Sequence, residues 1–423
     1  MRLLALLLVF SSGFCITLEE AINSAIKNNP ELRAQKHAVS SAFYSYRADT
    51  NLYLPNFFAS ASFSRLSQKQ SLHIPPFGPF PPLSVESAKQ NYRTFSIGLR
   101  EVFYDGGARE GRVNISSSEV RLQQDLYGEK LEDIKLQVIK AYLDVLSSQE
   151  IVDVYRKQLE AIDSQYRRAQ AFYKEGLVAI TDVLQAKVRL AEVQRDLRKA
   201  EGDYSVALAN LSKLTGIPQE KLKDLQLPQV ADYQVPDLES LYLKALERRL
   251  ILRAYSERVY QTKKLQDIER SKYLPKVFAQ AEYTYSDQNP VISPKGVYTL
   301  SLGLSLEFQT LEPYYRVLSR LEEEKRARWE LENLKEAIKL EIKKAYEDVL
   351  TAKDNLRVAE DALRYAEEFY KLSQEQYKNQ IISSTDLLLA EASLTQARKN
   401  KVLSYYEYLK AYYELMRAVG GEI

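Results

Sequence analysis

Few side chains in this 423-residue sequence are of the types that catalysis or metal binding requires. It contains two His and one Cys, which by themselves cannot form a usual zinc site or a Cys–His nucleophile pair. Carboxylate chemistry stays open, but no acid, base and nucleophile are grouped along the chain. Lys and Arg together exceed Asp and Glu by only two, so nucleic acid is not expected as the main partner. The sequence predicts no enzyme, cofactor or metal site.

Two aspartates stand at equivalent places in the chain and each follows a threonine. Thr181-Asp182 and Thr385-Asp386 are 204 positions apart, and a stretch with helical apolar periodicity follows each pair. Threonine and aspartate accept hydrogen bonds from free amides at a helix start. The residues alone therefore predict that each Thr-Asp pair caps a helix.

The helices that follow from this pattern are very long. Residues 83–217 and 314–423 contain no proline, which breaks helix interiors. Apolar and small residues alternate at spacings of three and four from Leu131 to Tyr173 and again from Val183 to Leu214. This repeat predicts coiled-coil packing, and a helix over 116–173 would be about 87 Å long. A soluble fibrous coiled coil fits these observations equally well.

The second half of the chain repeats the first. At an offset of 204, Ala141–Leu146 corresponds to Ala345–Leu350, and a turn near Gly176 corresponds to one near Gln380. The predicted organisation is a signal peptide at 1–15, a first repeat at 16–217, a connector at 218–236 and a second repeat at 237–423. Each repeat is expected to hold a helix, then a β-hairpin (55–104 and 275–308), then a long helical hairpin (108–214 and 314–419).

Four segments of the two hairpins alternate apolar and polar residues with a period of two. Leu300, Leu302 and Leu304, for example, alternate with Ser301, Gly303 and Ser305. The pattern fits a half-buried soluble sheet or membrane strands; strand length, terminal aromatics and the preceding signal peptide favour membrane strands. Four strands cannot close a barrel, so several protomers must contribute. The proline-rich segment 73–82 is expected to be a loop at the first hairpin tip.

The first fifteen residues resemble a secretory signal. Arg2 precedes an apolar core at 3–10 and small residues before Cys15, and the stretch is too short to span a bilayer. Cleavage after Cys15 would start the mature chain at Ile16. Acylation of Cys15 is the alternative, although bulky Phe14 stands where lipoprotein sites need a small residue.

The order of several motifs resembles the TolC-type outer-membrane efflux family. The motifs are Thr17–Ile22 with Asn28–Leu32, the Tyr-Leu-Pro segments at 53–55 and 273–275, Phe103–Gly107, and Gly176–Val183. The last of these is the most specific. Together with the duplication, the resemblance covers the whole mature chain.

The resemblance implies an α+β membrane protein in the outer membrane with a long periplasmic extension. Three protomers would share a twelve-stranded transmembrane β-barrel joined to an antiparallel coiled-coil helical barrel, with 218–236 in an equatorial belt. Such a homotrimer would be surrounded by outer-membrane lipid. It would be the passive exit duct of a tripartite efflux or type I secretion system, served by a periplasmic adaptor and a proton-driven or ABC-type inner-membrane transporter.

The resemblance also implies roles at the periplasmic end. Asp386 occupies the position of a family gate carboxylate, where three-fold symmetry would form a ring that attracts cations. Leu389 stands where some relatives have a second acid, and Ile382 replaces a gate-locking arginine, which leaves Tyr377 and Asp182 as a candidate hydrogen-bonded pair. The residues expected to dock the adaptor lie at the two helix turns and are Gly176, Leu177, Val178, Ala179, Ile180, Gln380, Ile381, Ile382 and Ser383.

The main competing interpretation is a structural coiled-coil protein of the outer membrane or periplasm that has no channel. The amphipathic strands and the doubled hairpin argue against it, since a spacer needs neither. An enzyme with carboxylate catalysis is the least favoured class, because no catalytic constellation is visible in the sequence.

Overall fold

The computed structural model of the chain describes residues 16–228, 236–307 and 311–421. The predicted signal peptide with Cys15, and residues 229–235 of the predicted connector, lie outside the described residues. In chain order the elements are α1 (Leu18–Asn28), α2 (Pro30–Thr50), β1 (Asn56–Arg65), β2 (Gln70–Ile74), β3 (Leu83–Ala88), β4 (Asn91–Tyr104), α3 (Ala108–Lys174), α4 (Ile180–Thr215), α5 (Leu238–Arg248), α6 (Leu250–Ser271), β5 (Lys276–Ser286), β6 (Gly296–Ser305), α7 (Glu312–Lys378) and α8 (Ser384–Ala418).

The duplication is visible in the elements themselves. Helices α3 and α7 both have 67 residues and begin 204 positions apart, and α4 and α8 have 36 and 35 residues. Ahead of each hairpin the sequence predicted one helix, but there are two, because the chain leaves the helical conformation at Asn29 and at Arg249. Pro30 follows Asn29 and disfavours the helical conformation there.

The chain forms two compact units, and each unit draws segments from both repeats. Of the described residues, the helical unit contains 16–37, 125–228, 236–252 and 333–421, and the sheet unit contains 38–124, 253–307 and 311–332. The boundaries fall inside α2, α3, α6 and α7, which are continuous helices. The two units therefore do not coincide with the two sequence repeats.

The core of the helical unit is the predicted seam. Ile134, Val138 and Val145 of α3 are buried, and so are the corresponding residues of α7, which are Ile338, Ile342 and Val349. Spacings of three and four place these residues on one face of each helix, so burying them holds the long helices together. The apolar seam that the sequence predicted is thus buried in both long helices.

The start of the first repeat meets the predicted connector in the helical unit. Ile16 pairs with Leu225 in an isolated bridge, and the Tyr142 hydroxyl lies 2.8 Å from the carbonyl oxygen of Ile16 and 2.6 Å from that of Gln226. The Tyr142 ring is fully buried. This anchor fixes the start of the described chain and the start of the predicted connector against α3.

The sheet unit contains a four-stranded antiparallel sheet in the order β1-β4-β5-β6, which leaves β1 and β6 at its edges. The register aligns the apolar residues of all four strands on one face, where Phe57 and Leu300 are 76% and 83% exposed. On the opposite face the strands carry mainly Ser, Thr, Gly and Gln. The predicted alternation is confirmed, and it leaves a broad apolar surface uncovered in the single chain.

Two glycines of the polar face repeat one packing arrangement. Gly98 pairs with Phe58, and Gly303 pairs with Phe278, across neighbouring strands. A Cβ at Gly98 would lie 2.7 Å from the Phe58 ring, and one at Gly303 would lie 2.5 Å from the Phe278 ring. Each aromatic ring therefore covers a position that only glycine can occupy.

The proline-rich segment is only partly the loop that the sequence predicted. His73 and Ile74 belong to β2, which pairs with β3 in a separate two-stranded sheet, and the loop is confined to 75–82. Polar and apolar residues alternate before Pro75, a pattern that permits strand pairing. Pro75 and Pro76 end the pairing because proline has no backbone N–H to donate. In the described part of the chain, no helix combines the length and apolar character needed to cross a membrane.

Candidate functional site at the helix turns

Helix α3 ends in a turn that depends on glycine. Gly176 has φ 71°, and its N–H donates to the Tyr173 carbonyl at 3.0 Å, while the Leu177 N–H donates to the Phe172 carbonyl at 2.9 Å. These two bonds form a Schellman motif, which satisfies carbonyls at the helix end and needs a left-handed residue. The chain thus reverses at Gly176, where the sequence predicted a turn.

Helix α7 ends in the same motif without glycine. Gln380 has φ 59°, its N–H donates to the Tyr377 carbonyl at 3.0 Å, and the Ile381 N–H donates to the Gln376 carbonyl at 2.8 Å. The left-handed conformation costs a residue with a side chain about 1 kcal/mol. The second turn is therefore the more strained of the two.

The caps of the return helices differ from the predicted ones. Ser383 caps α8: its hydroxyl accepts from the Asp386 N–H at 3.2 Å, and the Asp386 carboxylate accepts from the Ser383 N–H at 3.1 Å. Ala179 occupies the matching position before α4, and its methyl side chain cannot accept a hydrogen bond. Thr181 and Thr385 both lie inside the first helical turn, so neither is the N-cap of its helix, whereas Asp386 does take part in the cap of α8, as the Thr-Asp pattern predicted.

Asp386 is an exposed carboxylate that its capping partner keeps ionised. The Ser383 hydroxyl donates to it at 2.7 Å. This bond, together with the one from the Ser383 backbone, lowers the pKa of Asp386 below its usual value. Asp386 therefore carries a negative charge at neutral pH, whatever further role it has.

The two turns border one cavity of about 200 Å³ in the helical unit. Its lining residues are Phe172, Leu177, Val178 and Asp182 from the first turn and Tyr377, Gln380, Ile382, Ser383 and Ser384 from the second. Asp182 and Tyr377 both face this cavity, but in the described chain no hydrogen bond joins their side chains. Thr385 of α8 donates to the Gln185 side chain of α4 at 2.9 Å and holds the turns together.

Apolar side chains project into solvent around both turns. Leu177, Ile180, Ile381 and Leu389 are between 46% and 69% exposed. No apolar core needs them in the single chain, so they are available to a partner. Among the described residues, no group of three or more His, Cys, Asp and Glu side chains could hold a metal ion.

A buried polar layer lies further along the same helices, and the sequence reading missed it. Glu391 of α8 is 3% exposed, accepts from Gln158 of α3 at 3.2 Å and from Thr395 at 2.9 Å, and lies 3.9 Å from the Arg189 guanidinium of α4. Burial raises the pKa of Glu391, although these partners favour its charged form. One signal was present in the sequence: Glu391 lies four residues after Leu387 and three before Leu394, a spacing that places it on the same helix face as these two apolar residues.

Solved structures of bacterial outer-membrane proteins share this fold. The Campylobacter jejuni CmeC channel superimposes with a TM-score of 0.80 over 96% of this chain and 85% of that one, at 18% sequence identity. The Vibrio cholerae outer membrane protein VceC gives a TM-score of 0.78 over 96% of both chains, at 16% identity. At such identities the likeness shows the fold.

Residues 21–217 and 241–421 match the outer membrane efflux protein family, so the chain belongs to that family. Outer membrane protein TolC of Vibrio cholerae is 23% identical over 284 residues, which are 66% of this chain and 60% of that protein. The efflux protein BepC of Brucella suis is 24% identical over 209 residues, 49% of this chain and 42% of that protein. The chain thus matches about half of the length of these curated relatives. Family membership places it in the outer membrane, with a long periplasmic extension.

Proposed function

We propose that the protein is the passive exit duct of an efflux or type I secretion system, assembled as a homotrimer. The observation that carries the proposal is the four-stranded sheet with one exposed apolar face and two edge strands, β1 and β6. Unpaired strand edges are not tolerated in lipid, because their amides and carbonyls have no partners there. Pairing β1 of one protomer with β6 of the next would close a twelve-stranded barrel.

The trimer is tested by mass measurement of the protein purified in detergent. The expected result is three chains in one particle, with β-structure retained. A monomer with intact β-structure would refute the shared barrel. A protein that stays soluble and monodisperse without detergent would support the structural coiled coil instead.

In this proposal the turns dock a periplasmic adaptor, which links the duct to an inner-membrane transporter. The support is the exposed apolar surface around Gly176 and Ile381. Gly176→Trp and Ile381→Asp should abolish export while the trimer stays folded. Gly176→Asn and Ile381→Val are the matched controls, since Asn tolerates the left-handed conformation and Val keeps an apolar side chain. Normal export by both disruptive variants would exclude docking at the turns.

The gate is proposed to lie at the same end, with Asp386 as a ring of three carboxylates and Leu389 as an apolar constriction beside it. Cations should bind the ring and obstruct conduction. Asp386→Asn should therefore weaken block by divalent cations in single-channel recordings. Ser383→Ala is the control, because it removes the capping hydroxyl and keeps the charge. Equal block in wild type and Asp386→Asn would leave Asp386 as a cap only.

Tyr377 and Asp182 are proposed to help hold the gate closed, since Ile382 supplies no charged contact. Both residues border the cavity between the turns. Tyr377→Phe removes only the hydroxyl and should raise the open fraction of single channels. An unchanged open fraction would exclude that hydroxyl from the gate.

A further inference from the structure

Positive charge is concentrated at one end of the four-stranded sheet. The strands join helices at the other end, which we call the helix end; at this end, which we call the rim, the chain turns through 65–93 and 286–296. The rim has five basic residues and two acidic ones. They are Arg65, Lys69, Lys89, Arg93 and Lys295, with Glu86 and Asp287. The rim thus has an excess of three positive charges, although the whole chain has an excess of only two.

Two of these basic residues lie on the apolar face of the sheet. Arg65 follows Phe63 by two residues on β1. Arg93 precedes Phe95 by two residues on β4. Residues two apart on a strand share a face, so each arginine lies on the side of its aromatic neighbour. Phe63 is 69% exposed, Phe95 is 42% exposed, and both arginines are exposed as well. On both strands the apolar face therefore ends at the rim in an aromatic residue and then an arginine.

The register of β1 and β4 brings the two arginines close together. Arg93 is directly opposite Phe63. Arg65 is directly opposite Asn91, so the two arginines are diagonal neighbours on one face. Diagonal residues of an antiparallel pair have Cα atoms about 7–8 Å apart, a distance that long side chains can bridge. Two guanidinium groups so placed repel each other, and one anion between them would offset the repulsion.

In the described part of the chain, neither arginine forms an ion pair at its guanidinium group. The Asp287 carboxylate accepts from the backbone N–H of Arg93 at 2.6 Å. The other acid of the rim, Glu86, lies 3.7 Å from Lys69. Both acids of the rim thus have other contacts, and the guanidinium groups of Arg65 and Arg93 retain hydrogen-bond donors for a ligand.

Elsewhere on the four strands, charged residues are paired or lie on the polar face. Glu101 is on the apolar face, but it lies at the helix end, where Arg109 of α3 is 3.5 Å from it. The other basic residues of these strands, Arg100 and Lys276, are exposed on the polar face. The two arginines of the rim are therefore the basic residues that the strands place on the apolar face.

Two lysines add to the positive charge beside Arg93. The N–H of Lys89 donates at 2.7 Å to the loop after β5, and the carbonyl of Lys295 accepts at 2.9 Å from the last residue of β5. These bonds gather both lysines near Asp287. The hydrogen bond from Arg93 and the charges of these three basic residues lower the pKa of Asp287, although desolvation opposes this. One carboxylate cannot neutralise three cations, so the rim remains positive.

We propose that Arg65 and Arg93 together bind the phosphate group of a lipid headgroup in the outer leaflet of the outer membrane. A guanidinium group binds phosphate through two parallel hydrogen bonds, which a lysine ammonium cannot form. Aromatic side chains at the ends of membrane strands lie at the level of the headgroups, and the two arginines stand one step beyond such residues. The site rests on the proposed barrel, which turns the apolar face towards lipid.

The position of the two arginines favours a lipid over cargo or a neighbouring chain. Cargo inside the proposed duct would meet the polar face, and both arginines lie on the opposite one. A neighbouring chain would pair its β6 with β1, and β6 contains no acidic residue. The rim faces away from the helices of the periplasmic extension, so the lipid is one of the outer leaflet.

Native mass spectrometry of the detergent-solubilised protein, mixed with diphosphorylated lipid A, tests the site. The wild type should retain one lipid for each chain. Arg65→Gln/Arg93→Gln should weaken binding about 30-fold, as expected for the loss of two basic residues at an anionic lipid surface. Arg65→Lys/Arg93→Lys keeps the charge without the planar fork and should bind with intermediate affinity. Arg100→Gln/Lys276→Gln is the matched control, because it removes two charges from the polar face, and it should bind as the wild type does.

Two further probes distinguish a lipid from other sources of phosphate. Phosphatidylcholine, which has no net charge, should bind equally to the wild type and to Arg65→Gln/Arg93→Gln. Inorganic phosphate at the concentration of lipid A should not displace it. Displacement would assign the site to free phosphate and overturn the lipid assignment.

The mass of each variant and its far-UV circular dichroism show whether it is assembled and folded. A folded trimer in which Arg65→Gln/Arg93→Gln binds lipid A as tightly as the wild type would overturn the site and leave the proposed duct intact. An equal loss in Arg100→Gln/Lys276→Gln would overturn it too, since binding would then depend only on net charge. A monomer by mass, with β-structure retained, would overturn the duct and this site with it.

Discussion

Glu129 should be among the least replaceable residues of the helical unit. Its carboxylate accepts from Arg249 at 3.0 Å and from Arg417 at 2.9 Å, and it thereby joins α3 to the start of α6 and the end of α8. Both arginines are about 93% buried. Although burial opposes it, the carboxylates of Glu129 and Asp133 raise the pKa of Arg417 above its usual value. We expect Glu129→Leu to destabilise the protein strongly.

The expected magnitude follows from the partners that remain. Removing one member of a buried ion pair typically costs 3–5 kcal/mol, because the other charge is left unpaired. Here Arg417 would retain Asp133 and Arg249 would retain Glu341, and both of these acids are about half exposed. We therefore expect Glu129→Leu to lower the free energy of unfolding by about 2–4 kcal/mol. Asp133→Asn should cost about 1 kcal/mol or less, since its partner keeps Glu129.

The measurement is urea unfolding in detergent, followed by far-UV circular dichroism at one protein concentration. The Glu129→Leu/Arg417→Leu double variant should be more stable than Glu129→Leu alone, because one unpaired buried charge is removed with its partner. Additive costs of the two single changes would refute the reasoning. So would a loss for Glu129→Leu no larger than that for Asp133→Asn.

Three further predictions concern the turns and the buried polar layer, each checked by the same unfolding measurement. Gln380→Gly should raise the free energy of unfolding by about 0.5–1 kcal/mol, because glycine adopts the left-handed conformation at 380 without steric cost. Asn379→Gly is the control and should not raise it. Ala179→Ser should stabilise by about 1 kcal/mol, because it supplies the missing cap with Asp182 as its partner; Ala179→Val should not. Because the pKa of Glu391 is raised in the folded protein, ionisation of this carboxyl destabilises the fold, and the wild type loses stability as pH rises through and above 4.5. Glu391→Gln should therefore be more stable than the wild type at about pH 8 and equally stable at about pH 4. A difference that grows toward low pH would contradict that sign.

Most of the secondary structure could be predicted from local pattern. The proline-free stretches and the alternation of three and four define α3, α4, α7 and α8, because a helix repeats its buried face at that spacing whatever it packs against. The period-two segments define the four strands of the sheet for the same reason. The turns at Gly176 and Gln380 could be predicted because the two sequence repeats align there at an offset of 204.

The caps and the extra hairpin were harder to predict because near-equivalent residues compete. Ser383 and Thr385 can both cap a helix, and only the backbone conformation at 383 selects the serine. In the first half the cap position is Ala179, which cannot accept a hydrogen bond, so the sequence pattern indicated Thr181 as the capping residue instead. The strands β2 and β3 are short, β2 is exposed on both faces, and the prolines between them dominated the pattern.

By itself, the sequence determined the lengths of the long helices, the alternation of the strands, the duplication and the family. Only the tertiary structure decided which polar residues are buried together. Arg417 and Glu129 are 288 positions apart, and Glu391 and Gln158 are 233 apart, so no local period relates them. Their burial depends on which faces of four helices meet and at what level.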